Sequence, residues 1–258
     1  ISLGMRRGPR IAVSDKSICV TVIGGKQGKG RDGDLLAMRS SDGGKTWTSP
    51  VQVNDAADSA REGLHSMSAG PNGEMCCVWL DLRNGHTEVM ASVSTDGGGT
   101  WSRNALVYKS PDGSVCECCH PCVAIDSLGR IHVQWRNSVG GARDIYVASS
   151  TDGGKKFGGA TKLGTGTWSL NACPMDGGAI AVGADGRIAS TWRRDQMVFL
   201  SLDGEREERR LGVGEQPWIA ATDAGPYVVW LKKRGDVALL LKPGSKSPLE
   251  LAAHAADP

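Results

Sequence analysis

Ser94-Thr95-Asp96-Gly97-Gly98-Gly99-Thr100-Trp101 decides how this chain is read, because the same octet recurs along it. It appears as Ser40-Ser41-Asp42-Gly43-Gly44-Lys45-Thr46-Trp47 and as Ser150-Thr151-Asp152-Gly153-Gly154-Lys155-Lys156-Phe157. A worn fourth copy stands at Ser201-Leu202-Asp203-Gly204, and successive aspartates are 54, 56 and 51 residues apart. Asp closes a tight turn through its own side chain, and the glycines accept positive φ. The terminal ring is expected to pack beneath the next strand. Self-similarity at a period near fifty residues is the mark of a repeat architecture.

Between the octets a second pattern returns: an apolar run, a Gly turn, then a stronger run ending in Trp and a basic residue. The second runs read Cys76-Cys77-Val78-Trp79-Leu80-Asp81-Leu82-Arg83, Val133-Gln134-Trp135-Arg136, Ala189-Ser190-Thr191-Trp192-Arg193 and Val228-Val229-Trp230-Leu231-Lys232. Gly73, Gly129, Gly186 and Gly225 mark the turns before them. Five modules emerge, starting near Pro9, His65, His120, Asp176 and Gln216. Each supplies four strands, which makes it a propeller blade. The expected fold is all-β: a single β-propeller domain over 1–258, with five modules visible and room for a sixth.

Composition agrees. The 258 residues are 40% hydrophobic and 22% charged, which excludes a disordered or collagen-like chain. Thirty basic against 28 acidic residues leave a formal charge of +2, so no dedicated nucleic-acid surface is expected. No apolar run approaches about eighteen residues, so no membrane-spanning helix is expected. Eight cysteines are many for a reducing compartment, and a periplasmic or secreted location is preferred. The expected state is a monomer.

The octet resembles the Asp box of sialidase-like (BNR-repeat) β-propellers, in which it forms the turn between the third and fourth strands of a blade. That resemblance implies a propeller and, more loosely, carbohydrate chemistry.

Strand parity converts spacing into geometry. In a four-stranded meander, the loop entering the first strand and the loop after the second share one face, opposite the Asp boxes. Arg10, His65, His120, Asp176 and Gln216 precede first strands. Asp32, Asp34, Asp81, Arg83, Arg136, Asn137, Arg143, Asp144, Arg193, Arg194, Asp195 and Lys232 follow second strands. Arginine, carboxylate and imidazole therefore converge on one channel mouth, a usual place for a small ligand.

The resemblance extends to some of these positions. Arg10-Ile11 sits where sialidases carry an Arg-Ile-Pro arginine, with Ala12 in place of the proline. Asp32 lies where the family places its acid, and Asp176 with Arg193 resembles the family's glutamate and second carboxylate-binding arginine. By that likeness Asp32 and Asp176 are the candidate catalytic residues. Arg10, Arg136, Arg193, His120 and Asp144 are the candidate ligand-binding residues of the mouth. The family nucleophile is a tyrosine in a late loop, whereas Tyr108, Tyr146 and Tyr227 fall in strands. Trp168 and Trp218, nearer loops than the strand-ending tryptophans, are the stacking candidates.

Val115-Cys116-Glu117-Cys118-Cys119-His120-Pro121-Cys122 enters the third module and Cys173-Pro174 the fourth. Neighbouring modules place these loops side by side. A disulfide from one of Cys116, Cys118 or Cys119 to Cys173 is preferred over a soft-metal site, so no metal ligand and no cofactor is assigned. Three functions stay open. They are a glycoside hydrolase acting on an anionic or other carbohydrate, a non-catalytic carbohydrate- or protein-binding propeller, and a metal- or redox-associated protein using the Cys116–Cys122 loop.

Overall fold

The computed structural model describes residues 6–15, 17–27, 30, 32–203 and 207–256. Every regular element among them is a strand. The first group is β1 (Arg10–Ser14), β2 (Ser17–Gly25), β3 (Gly33–Ser40) and β4 (Val51–Gln52). The second is β5 (Ala60–Ala69), β6 (Met75–Asp81), β7 (Glu88–Ser94) and β8 (Ala105–Tyr108). The third is β9 (Cys122–Ile125), β10 (Ile131–Arg136), β11 (Ile145–Ser150) and β12 (Thr161–Lys162). Then come β13 (Ala179–Val182), β14 (Ile188–Arg194), β15 (Met197–Leu202) and β16 (Arg209–Val213). Last are β17 (Glu215–Thr222), β18 (Gly225–Leu231), β19 (Asp236–Leu241) and β20 (Leu249–Ala255).

The last three groups are four-stranded antiparallel meanders, and the first two join into one eight-stranded sheet through the single pair Gly33↔Ala60. The second module opens earlier than its sequence suggests. β5 begins at Ala60, slips register, and pairs regularly only from His65↔Trp79 onward. The first strands form the inner layer, with β1 packed on β5, β5 on β9, β9 on β13 and β13 on β17.

The core lies between sheets, and the two-residue period of a strand feeds both sides. On β6, Met75, Cys77 and Trp79 join the cluster shared with the first module, whereas Cys76, Val78 and Leu80 join the one shared with the third. Trp79, Trp135 and Trp230 are fully buried and Trp192 nearly so, and each joins the core between modules. The outer faces of the end sheets are open: Ile11 and Val13 on β1 are 64% and 61% exposed, and Leu249 and Leu251 on β20 are exposed too.

Each intact octet forms the turn after a third strand. In the second, Ser94 Oγ donates to Asp96 Oδ1 (2.8 Å), which also accepts the Thr100 amide (2.9 Å). Thr100 Oγ1 donates to Asp96 Oδ2 (2.8 Å). Burial pushes the Asp96 carboxyl up, but these bonds outweigh it and hold the group at about 2. Gly98 has φ +96, and a Cβ there would stand 2.6 Å from Cys19 Sγ on the first module, so the turn is also a joint between the first two modules. The ring positions differ from expectation. Trp101 and Phe157 pack against core clusters, but Trp47 is 44% exposed and donates to Gly44 O of its own turn. Gly204, in the worn fourth copy, lies outside the described residues.

Candidate functional site

The connections entering β13 and β17 meet the one leaving β10 around Asp176. This carboxylate is buried, accepting the Gln216 amide on Oδ2 (2.8 Å) and the Gly178 amide on Oδ1 (3.3 Å). Its backbone carbonyl accepts Arg136 Nε at 2.7 Å. Arg136 is 1% exposed and directs its other nitrogens to Arg143 O (2.5 Å) and Arg193 O (2.8 Å). The candidate ligand arginine thus ties three segments together through carbonyls. Its guanidinium also lies 5.1 Å from the Trp168 ring, with that of Arg193 at 5.6 Å from the same ring.

Backbone strain gathers here. Arg6, Met175, Asp195 and Gln216 have φ of 56, 52, 56 and 55°, four of the seven non-glycine residues with positive φ in the described chain. Such conformations cost of order 1 kcal/mol or more each and concentrate at functional sites. They are held by contacts: Gln216 Nε2 donates to Met175 O (2.9 Å), while Gln216 Oε1 and its carbonyl accept Arg6 Nε (3.1 Å) and Nη2 (2.7 Å). Trp218 is 36% exposed and meets the Arg6 guanidinium at 4.9 Å and the His120 ring at 6.2 Å. Trp218 is therefore the accessible ring of the pair expected to stack, and Trp168 is the buried one.

His120 is buried, with Nε2 3.0 Å from Gly178 O, so Nε2 carries the proton; Nδ1 has no hydrogen-bond partner among the described residues. Burial, then the charges of Arg6 and Arg10, hold the ring neutral well below the usual imidazole range. Arg10 donates to His65 O (3.1 Å) and Arg6 O (2.6 Å). Asp32 accepts the Gln27 amide on Oδ2 (2.6 Å), while its Oδ1 is buried without a hydrogen-bond partner among the described residues. Asp32 and Asp176 share no hydrogen-bond partner among the described residues. Asp144 accepts the Trp168 amide (2.9 Å) and pairs with Lys162 (2.8 Å), which fixes the loop after β12. Arg83 pairs with Asp81 and Asp55, a bracing role.

Arg193 keeps some exposure. It pairs with Glu215 (3.1 Å) and borders a cleft of about 300 Å³ lined by Gln196, Gly214, Glu215, Lys232 and Lys233. A larger cleft of about 490 Å³ lies on the Asp-box side, along Thr100–Ala105 and Gly153–Lys155. It contains no carboxylate, so the chemistry favours the mouth. Sequence reasoning missed Arg6 and Glu215 as site residues. Glu215 directly precedes Gln216 and could have been found by strand parity, but nothing local marks Arg6.

Residues 9–212 match the family model described as a BNR repeat-like domain. The chain belongs to the BNR repeat-like family. No curated protein matches this BNR repeat-like chain. Among solved structures it resembles a Dyadobacter fermentans protein of unknown function, at TM-score 0.64 and 14% identity, covering 99% of this chain and 85% of that one. It also resembles the GH93 α-L-arabinofuranosidase of Fusarium graminearum in complex with arabinobiose (TM-score 0.60, 13% identity, 96% and 82% covered). A Trypanosoma rangeli sialidase mutant displaying trans-sialidase activity gives TM-score 0.57 at 14% identity, with 96% and 48% covered. At such identities the likeness establishes the β-propeller fold.

The cysteines of this BNR repeat-like chain depart from expectation. All eight are free thiols, and no bond joins Cys173 to the third-module loop. The loops do lie side by side, with the Cys118 and Cys173 thiols close enough to influence one another. Cys19, Cys76, Cys77 and Cys122 are buried in strands, and burial pushes the Cys76 and Cys122 thiols up to about 12. The tyrosines lie in strands: Tyr108 packs tilted against Trp135 (4.8 Å) and accepts Asn137 Nδ2 (2.8 Å), and Tyr146 stacks on Trp135 at 6.3 Å. Tyr227 lies in β18.

Proposed function

We propose that this chain is a carbohydrate-active propeller of five four-stranded blades, one domain over residues 1–258, exported and monomeric. Its saccharide lies across the mouth between Asp176, Arg193 and Trp218. Asp32 acts as the acid toward the glycosidic oxygen, and Asp176 is the second carboxylate. The observation that carries this reading is Asp32 Oδ1, a buried carboxylate oxygen without a hydrogen-bond partner among the described residues. Buried polar atoms are almost always paired, and one left bare in a native fold calls for an explanation such as a catalytic role.

The rest of the mouth supports it. Trp218 offers an exposed ring beside the Arg6 cation. Arg193 has the guanidinium best placed for an anionic sugar, while Arg10, Arg136, His120 and Asp144 hold the loops around it. The structural neighbours include an arabinofuranosidase and a sialidase, which fits a saccharide ligand. A second reading, a binding module without turnover, is favoured by the tyrosines, which lie in strands and leave the mouth without that nucleophile.

The test is hydrolysis of chromogenic α-L-arabinofuranosides and sialosides, run beside calorimetric titration with the corresponding free sugars. Asp32→Asn and Asp176→Asn should each lower kcat by about 10²–10⁴-fold while saccharide binding persists. Binding without turnover would select the second reading. Neither binding nor turnover across neutral and acidic sugars would sink both.

A further inference from the structure

Beside the saccharide mouth, the connection from β8 to β9 brings three sulfurs to one point. Cys116 Sγ lies 3.3 Å from Cys119 Sγ and 3.8 Å from Cys118 Sγ, and all three sulfurs are within 4.8 Å of one another. Cys116 and Cys119 are buried, Cys118 is half-buried, and the exposed Cys173 lies on the adjoining loop, close enough to influence Cys118. Thiolates about 2.3 Å from a central ion stand about 3.8 Å apart in a tetrahedral site and about 4.0 Å apart in a trigonal one. The observed spacings are near that geometry and well beyond a disulfide's sulfur separation of about 2.05 Å.

The loop is held in place before any ligand arrives. The Val115 amide donates to Thr87 O (3.0 Å) and the Cys116 amide to Arg136 O (3.1 Å). Arg136 supplies a second, independent observation. It is a buried cation bonded to carbonyls, with no carboxylate in ion-pair reach among the described residues, and its own carbonyl accepts the Cys116 amide. A buried unpaired cation is costly, and an anionic metal–thiolate cluster would compensate it. Three soft donors with no carboxylate among them select a thiophilic ion.

We propose that Cys116, Cys118 and Cys119 bind one thiophilic d¹⁰ ion, Zn(II) or Cu(I), with Cys173 closing the fourth position. The site is separate from the carboxylates of the saccharide mouth, so it stands whether or not the chain turns over a sugar.

Full-length protein, reduced and stripped with chelator under anaerobic conditions, is titrated with Zn(II), with Co(II) as a spectroscopic probe, and with Cu(I) buffered by a competing chelator. The expected result is one equivalent bound, a thiolate-to-Co(II) charge-transfer band, and loss of three or four alkylatable thiols on binding. Which competing chelator the protein outcompetes identifies zinc or copper. Cys118→Ser, at the half-exposed corner where folding is least at risk, should weaken binding at least about tenfold. Cys76→Ala, buried in β6, should leave it unchanged. No saturable uptake of any of the three ions by the reduced wild type would overturn the proposal. So would uptake that survives both Cys118→Ser and Cys119→Ser.

Discussion

Replacing Arg136 by Met removes a buried guanidinium that donates to Asp176 O, Arg143 O and Arg193 O. Three segments from two adjacent modules lose their common donor. A buried acceptor left bare costs about 1–3 kcal/mol. Two of the three carbonyl contacts are only partly buried and can take water, so the full sum is not reached. The lost contact with Trp168 adds about 0.5–1 kcal/mol. Met no longer requires a cation to be desolvated, which offsets part of the loss, and a net destabilisation of about 3 kcal/mol remains. For a chain of this size each kcal/mol lowers Tm by about 2–4 °C, so the variant should melt about 6–12 °C below wild type. Differential scanning calorimetry gives the first number, and titration of the folded variant with acidic and neutral sugars gives the second. A Tm within about 2 °C of wild type, combined with selective loss of acidic-sugar binding, would refute the bracing role and return Arg136 to the ligand.

Trp218→Ala should abolish detectable saccharide binding with little change in Tm, because the ring is 36% exposed; equal affinity in calorimetric titration would remove it from the site. Gly98→Ala should destabilise by about 1–3 kcal/mol in urea unfolding, since the new Cβ meets Cys19 at 2.6 Å at a φ of +96°; an unchanged midpoint would contradict the joint between the first two modules. His65 is held neutral down to about 4 by burial and by the Arg10 charge, so the unfolded chain binds its proton first. That contribution to stability is complete above the unfolded value near 6.5 and is lost as pH falls from there toward 4. Urea midpoints should drop between pH 7 and pH 5, less steeply in His65→Gln, and parallel slopes would disprove it. Asp96, held at about 2, should contribute stability that is present above its unfolded value of 3.8 and fades as pH falls toward 2. NMR titration of its carboxyl would show an ordinary value if the Asp-box bonds did not persist in solution.

The sequence by itself determined what is local. An Asp box closes within eight residues, as when Ser40 and Thr46 both reach Asp42, so its turn can be read without knowing what lies across it. The alternation of Met75, Cys77 and Trp79 with Cys76, Val78 and Leu80 is equally local, because a strand turns successive side chains to opposite faces. Strand parity then selects candidate residues from order alone. Only the tertiary structure decided what those side chains touch. Arg136 and Arg193 each follow a strand Trp, yet one is enclosed by carbonyls from its own and the next module while the other keeps a face at the cleft. Arg6 reaches Gln216 across 210 residues. The sulfurs of Cys116, Cys118 and Cys119 converge on one another rather than bonding to Cys173. Hydrogen bonds that close a turn span a few residues and leave a spacing in the sequence. The partner of a long charged side chain or a thiol depends on which loops the sheets bring together, and that leaves none.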